Sequence, residues 1–76
     1  LNDVFRPTPV GIDRIEYFRI FNRFGEKVFE TSEINKGWDG SYKGIRQPLG
    51  GYVWMLKGVD RKGDVKVLKG NVLLVR

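Results

Sequence analysis

No stretch of this chain carries apolar residues at the 3.6-residue spacing of an amphipathic helix. Its glycine-free runs are rich in aromatic and β-branched residues, the composition of strands. Residues 14–24, Arg-Ile-Glu-Tyr-Phe-Arg-Ile-Phe-Asn-Arg-Phe, form the first such run. Its alternation is imperfect: Phe18 and Ile20 share one face while Tyr17, Arg19 and Phe21 share the other, so apolar groups point both ways. Asn22-Arg23-Phe24-Gly25 supplies turn chemistry, with Gly25 able to take the positive φ of a short hairpin loop. Lys27-Val28-Phe29-Glu30 then reads as an antiparallel second strand. Residues 52–59 are apolar on both faces for most of their length, which predicts a central strand. Asp60-Arg61-Lys62-Gly63 is a turn, and residues 64–76 a closing strand that pairs with 52–59, with Gly70 marking a bulge or a close approach.

Between Ser32 and Gly51 the chain holds Gly37, Gly40, Gly44, Pro48, Gly50 and Gly51, a density of breakers that predicts a long irregular connection. Near the start, Val4-Phe5-Arg6 is expected as a short edge strand ended by Pro7 and Pro9. Short strands separated by Gly-containing turns point to an all-β fold, an antiparallel sandwich or a small barrel.

Seventy-six residues make one domain, 1–76. A domain of that size buries only about 60% of the surface its unfolded chain exposes. Cysteine and histidine are both absent, which removes the usual zinc, copper and iron–sulfur ligands together with Cys/His and Ser/His nucleophile pairs. Gly37-Trp38-Asp39-Gly40-Ser41-Tyr42-Lys43-Gly44 has neither the spacing of a phosphate-binding loop nor the clustered carboxylates of a calcium loop. No catalytic residue, cofactor or metal is expected. Asp39 is expected to accept hydrogen bonds from its own loop.

Fourteen Lys and Arg against nine Asp and Glu give a formal charge of +5, which raises nucleic acid, an anionic membrane surface or an acidic protein as partners. Acids and bases interleave, however, as in residues 60–66, the pattern of an ordinary solvated face. Trp38, Trp54, Tyr17, Tyr42 and Tyr52 could stack on sugars or bases, although in so small a domain two tryptophans are expected to be core bulk. The opening Leu1-Asn2-Asp3, without an initial Met, is expected of a fragment cut from a longer polypeptide, with any signal for crossing the inner membrane upstream.

Three stretches together resemble a known family: Tyr17 to Phe29 around the Asn22-Arg23-Phe24-Gly25 turn, Gly37-Trp38-Asp39-Gly40, and Gly51-Tyr52-Val53-Trp54. They are similar to the gliding-motility-associated C-terminal domain, the type B sorting domain of the type IX secretion system of Bacteroidota. In the motifs of that family, Asn22, Arg23 and Gly25 match the turn, with Phe24 in place of a tryptophan. Trp38, Asp39 and Gly40 match a loop, Gly51 and Tyr52 a strand start, and Gly70, Val72, Leu74 and Arg76 a closing strand. Of the Asn-Gly-Asp-Gly-rich opening only Asn2 and Asp3 remain, and the Trp-Asp-Gly part also resembles the immunoglobulin-like module of flagellar hook-capping proteins.

The resemblance implies an immunoglobulin-like antiparallel β-sandwich and a non-catalytic signal for export across the outer membrane to the cell surface or medium. It also implies a PorP/SprF-like outer-membrane partner within the secretion machinery. Neither nucleic acid nor a small-molecule substrate is expected. A terminal strand tends to leave a sheet edge open to a partner, which nominates Leu68, Lys69, Gly70, Val72, Leu74 and Arg76 for sorting recognition. The competing expectations are an adhesive or carbohydrate-binding module, with Trp38 and Tyr42 exposed, and a small basic nucleic-acid-binding barrel.

Overall fold

The computed structural model describes residues 11–33 and 36–75. The strands are β1 (Ile12–Phe21), β2 (Lys27–Thr31), β3 (Ser41–Tyr42), β4 (Ile45–Arg46), β5 (Gly50–Asp60) and β6 (Val65–Leu74). Four of them form an antiparallel sheet in the order β2-β1-β5-β6, and β3 and β4 form a separate two-stranded ribbon. The fold is all-β and antiparallel, consistent with an immunoglobulin-like sandwich. The strand expected at Val4–Arg6 lies outside the described residues.

The register of β1 against β5 is interrupted, and the interruption decides which face Ile15 takes. Ile15 pairs with Gly58 and Phe18 with Leu56, so three steps along β1 match two along β5. An extra residue in β1 absorbs the difference at Glu16, and a second irregularity falls between Ile12 and Arg14. The bulge returns Ile15 to the face of Phe18 and Ile20, where all three are buried. They pack with Val28, Trp38, Tyr52 and Leu56, and Phe29, Tyr42, Trp54, Val72 and Leu74 close the rim of that cluster. Strand β5, between β1 and β6, contributes Tyr52 and Leu56 to this face.

Both long hairpins close with one five-residue device. In the first, Gly25 N–H donates to the Asn22 carbonyl at 3.0 Å and Asn22 N–H to the Glu26 carbonyl at 2.9 Å. Asn22 Oδ1 accepts from the amides of Phe24 and Glu26, each at 2.9 Å. In the second, Gly63 N–H donates to the Asp60 carbonyl at 3.0 Å and Asp60 N–H to the Asp64 carbonyl at 2.9 Å. Asp60 Oδ1 accepts from the amides of Lys62 and Asp64, each at 2.9 Å. Gly25 and Gly63 stand at φ 81° and 90°, which a side chain would disfavour.

The connection predicted as irregular between Ser32 and Gly51 contains the β3–β4 ribbon. Tyr42 pairs with Ile45 across Lys43 and Gly44, whose φ values of 53° and 79° are both positive, as a two-residue hairpin turn of the primed kind requires. Asn or Asp before the glycine usually announces such a turn, and Lys43 does not.

Candidate functional site

Among the described residues, strand β6 lies at the edge of the sheet. One side pairs continuously with β5 from Val59↔Val65 to Gly50↔Leu74, and no strand among the described residues pairs with the other side. Such an edge offers a row of backbone donors and acceptors to any further strand. Lys66 and Lys69 guard its first half with charge, whereas Gly70 to Val75 carry none.

The nominated residues divide between the two faces. Leu68 lies opposite Leu56, and Val72 and Leu74 lie opposite Tyr52 and Gly50, where the latter two pack at the rim of the core. Lys69 is exposed, opposite Met55. Gly70 makes the close approach that its position suggests: a Cβ there would stand 2.9 Å from the Trp54 indole. It is not a bulge, because the pairing of β6 with β5 runs through it unshifted. Arg76 lies outside the described residues. On the outward face Leu73 is 67% and Val75 68% exposed, so the uncharged end of this edge is also apolar.

The remaining motif residues build structure. Trp38 is 2% exposed, packs edge-on against Tyr52 at 4.9 Å between ring centroids, and donates from its indole nitrogen to the Ser41 carbonyl at 2.8 Å. Asp39 Oδ1 accepts from the Ser41 amide at 3.0 Å and its hydroxyl at 2.6 Å, tying the loop that aims Trp38 inward. Gly40 is buried at φ 88°, and its carbonyl accepts from the Gln47 amide at 2.8 Å, joining the loop to the strand end of β4. Tyr52 donates its hydroxyl to the Pro48 carbonyl at 2.6 Å. A carbohydrate platform built on an exposed Trp38 is therefore overturned, because the ring is inside. Tyr42 is half-buried, with Lys43 Nζ 5.3 Å from its ring centroid.

Charge is paired locally on the outer face of the sheet. Glu30 accepts from Lys27 at 2.7 Å and from Arg19, and these two hydrogen bonds, with their positive charge, hold its carboxyl below the ordinary carboxylate range. Arg19 also stacks 3.7 Å from the Tyr17 ring centroid. No three acidic residues come together among the described residues in a way that could hold a metal ion.

Among the described residues, a four-stranded antiparallel sheet with β6 at its edge and loops tied by their own side chains define a small all-β domain. The chain belongs to the CHU_C type IX secretion signal domain family, whose model matches residues 1–74. This agrees with the sorting domain its motifs resemble. No curated protein and no solved structure matches the chain. Family membership makes it a sorting signal that engages the type IX secretion machinery, with export to the cell surface or medium as the result.

Proposed function

We propose that residues 1–76 are the C-terminal sorting domain of a larger exported protein, that the domain folds in the periplasm, and that an outer-membrane protein of the PorP/SprF-like class receives it. The observation that carries this reading is the uncharged stretch Gly70 to Val75 along the β6 edge, with Leu73 and Val75 exposed, in a chain of the secretion-signal family. A partner strand laid along this edge gains main-chain hydrogen bonds, and the exposed Leu73 and Val75 give it apolar contact. No bond is made or broken by the domain; its work is to be bound.

The test is a pair of point variants in a passenger fusion, Leu73→Lys and Val75→Lys, which place charge on the exposed face and spare the core. Folded domain with passenger held in the periplasm is the expected result. Undiminished surface delivery by both variants would remove β6 from recognition.

A further inference from the structure

The two long hairpins act as an internal control on one another. Asn22-Arg23-Phe24-Gly25-Glu26 and Asp60-Arg61-Lys62-Gly63-Asp64 make the same backbone and side-chain hydrogen bonds at opposite ends of the sheet. The turn needs the Asx side chain and the glycine; its third position is Lys62 in one case and Phe24 in the other. Phe24 is therefore surplus to the turn, yet it stands 86% exposed on a loop held by five hydrogen bonds, four of them shared with the other turn. A large aromatic side chain displayed on a fixed backbone has the composition and preorganisation of an interface anchor.

Beside it lies an open groove of about 490 Å³, between the turn at Asn22–Glu26 and the segment Gln47–Tyr52. Leu49, 56% exposed, forms its other apolar side. Gly51, exposed in its wall, has no steric reason to be glycine: its φ is not positive and a Cβ there would meet nothing within 4 Å. Arg23 in the same wall lies 5.7 Å from the Phe24 ring centroid and makes no ion pair among the described residues. Glu26 is held by the Asn22 amide at 3.0 Å. Gly51 pairs with Leu73 and Gly50 with Leu74, so the groove adjoins the end of β6.

We infer that this groove receives an acidic, apolar loop of a protein partner: an apolar side chain enters between Phe24 and Leu49, and a neighbouring carboxylate meets Arg23. The sign follows from charge complementarity with Arg23 and with a chain of net charge +5. The inference rests on the sorting reading and adds to it a second point of contact, at the same end of the sheet as Leu73 and Val75.

The experiment uses the chain fused behind a fluorescent passenger in a bacterium with a type IX system, comparing Phe24→Lys, Arg23→Glu and Gly51→Val with Lys62→Ala at the opposite turn. Phe24→Lys copies the side chain that the other turn already accommodates, so each groove variant should melt within about 2 °C of the wild type. The expected result is a loss of surface passenger of about tenfold or more for each groove variant, the scale of one interface anchor, with Lys62→Ala unaffected. Groove variants exported like the wild type, while Leu73→Lys is retained, would overturn the groove and leave the sorting reading standing. Wild-type passenger retained in the periplasm would overturn both. A wild-type dimer in light scattering that Phe24→Lys dissolves would assign the groove to a second copy and overturn the partner proposed here.

Discussion

Trp38 joins the irregular half of the chain to the sheet. Its ring is buried against Tyr52, its indole nitrogen reaches Ser41, and Asp39 and Gly40 fix the loop on either side of that bond. Replacing it with alanine removes the largest buried side chain of a small core, and Trp38→Ala should cost about 3 to 5 kcal/mol in chemical unfolding, enough to abolish a marginal domain. An unchanged midpoint would show that the loop does not brace the sheet. Glu30 offers a test by pH. Its carboxyl titrates lower in the fold than in the unfolded chain, because Lys27 and Arg19 hydrogen-bond the ionised form. The stability it contributes is therefore full above the ordinary carboxylate pKa and is lost as pH falls through the lowered value. The small gap in melting temperature between wild type and Glu30→Gln should close on acidification; a gap that persists in acid would mean the glutamate acts by packing. Exposure of the group keeps the effect small.

Among the elements, the long strands were legible because their signals are local. Aromatic and β-branched runs set β1, β5 and β6, and Gly25 and Gly63 mark the turns between paired strands. Pairing of β5 with β6 and the central place of β5 follow from hydrophobicity on both faces and a short turn. The bulges of β1 escaped prediction, since Gly58, which faces one of them, lies on another strand. A Cβ at Gly58 would meet the Arg14 carbonyl at 2.8 Å, a constraint that no one-strand pattern reveals. The β3–β4 ribbon escaped prediction because Lys43 occupies a position that favours Asn or Gly. A lysine at φ 53° carries strain, so Lys43→Asn should stabilise the domain by about 0.5 to 1 kcal/mol in thermal unfolding. A loss of stability instead would mean that the Lys43 contact with Tyr42 outweighs the backbone strain.

At the scale of the whole molecule, the candidate site was legible in part. The place of β6 at the sheet edge among the described residues follows from its position as the last strand, and the inward Trp38 from the need of a small domain for bulk. The groove beside Phe24 was not, because Leu49 and Gly51 reach the first hairpin only through the tertiary pairing of β1 with β5. These features meet at one end of the sheet, where apolar side chains cluster on fixed backbone. We propose that a domain so arranged acts as an address read in the folded state. The most direct test of that claim is to place the chain behind an inner-membrane signal and a fluorescent passenger in a bacterium with a type IX system, and to locate the passenger by fractionation. Passenger at the surface or in the medium, dependent on residues 1–76 and on the PorP/SprF-like protein, is the predicted result. Passenger left in the periplasm with the folded domain attached would contradict it.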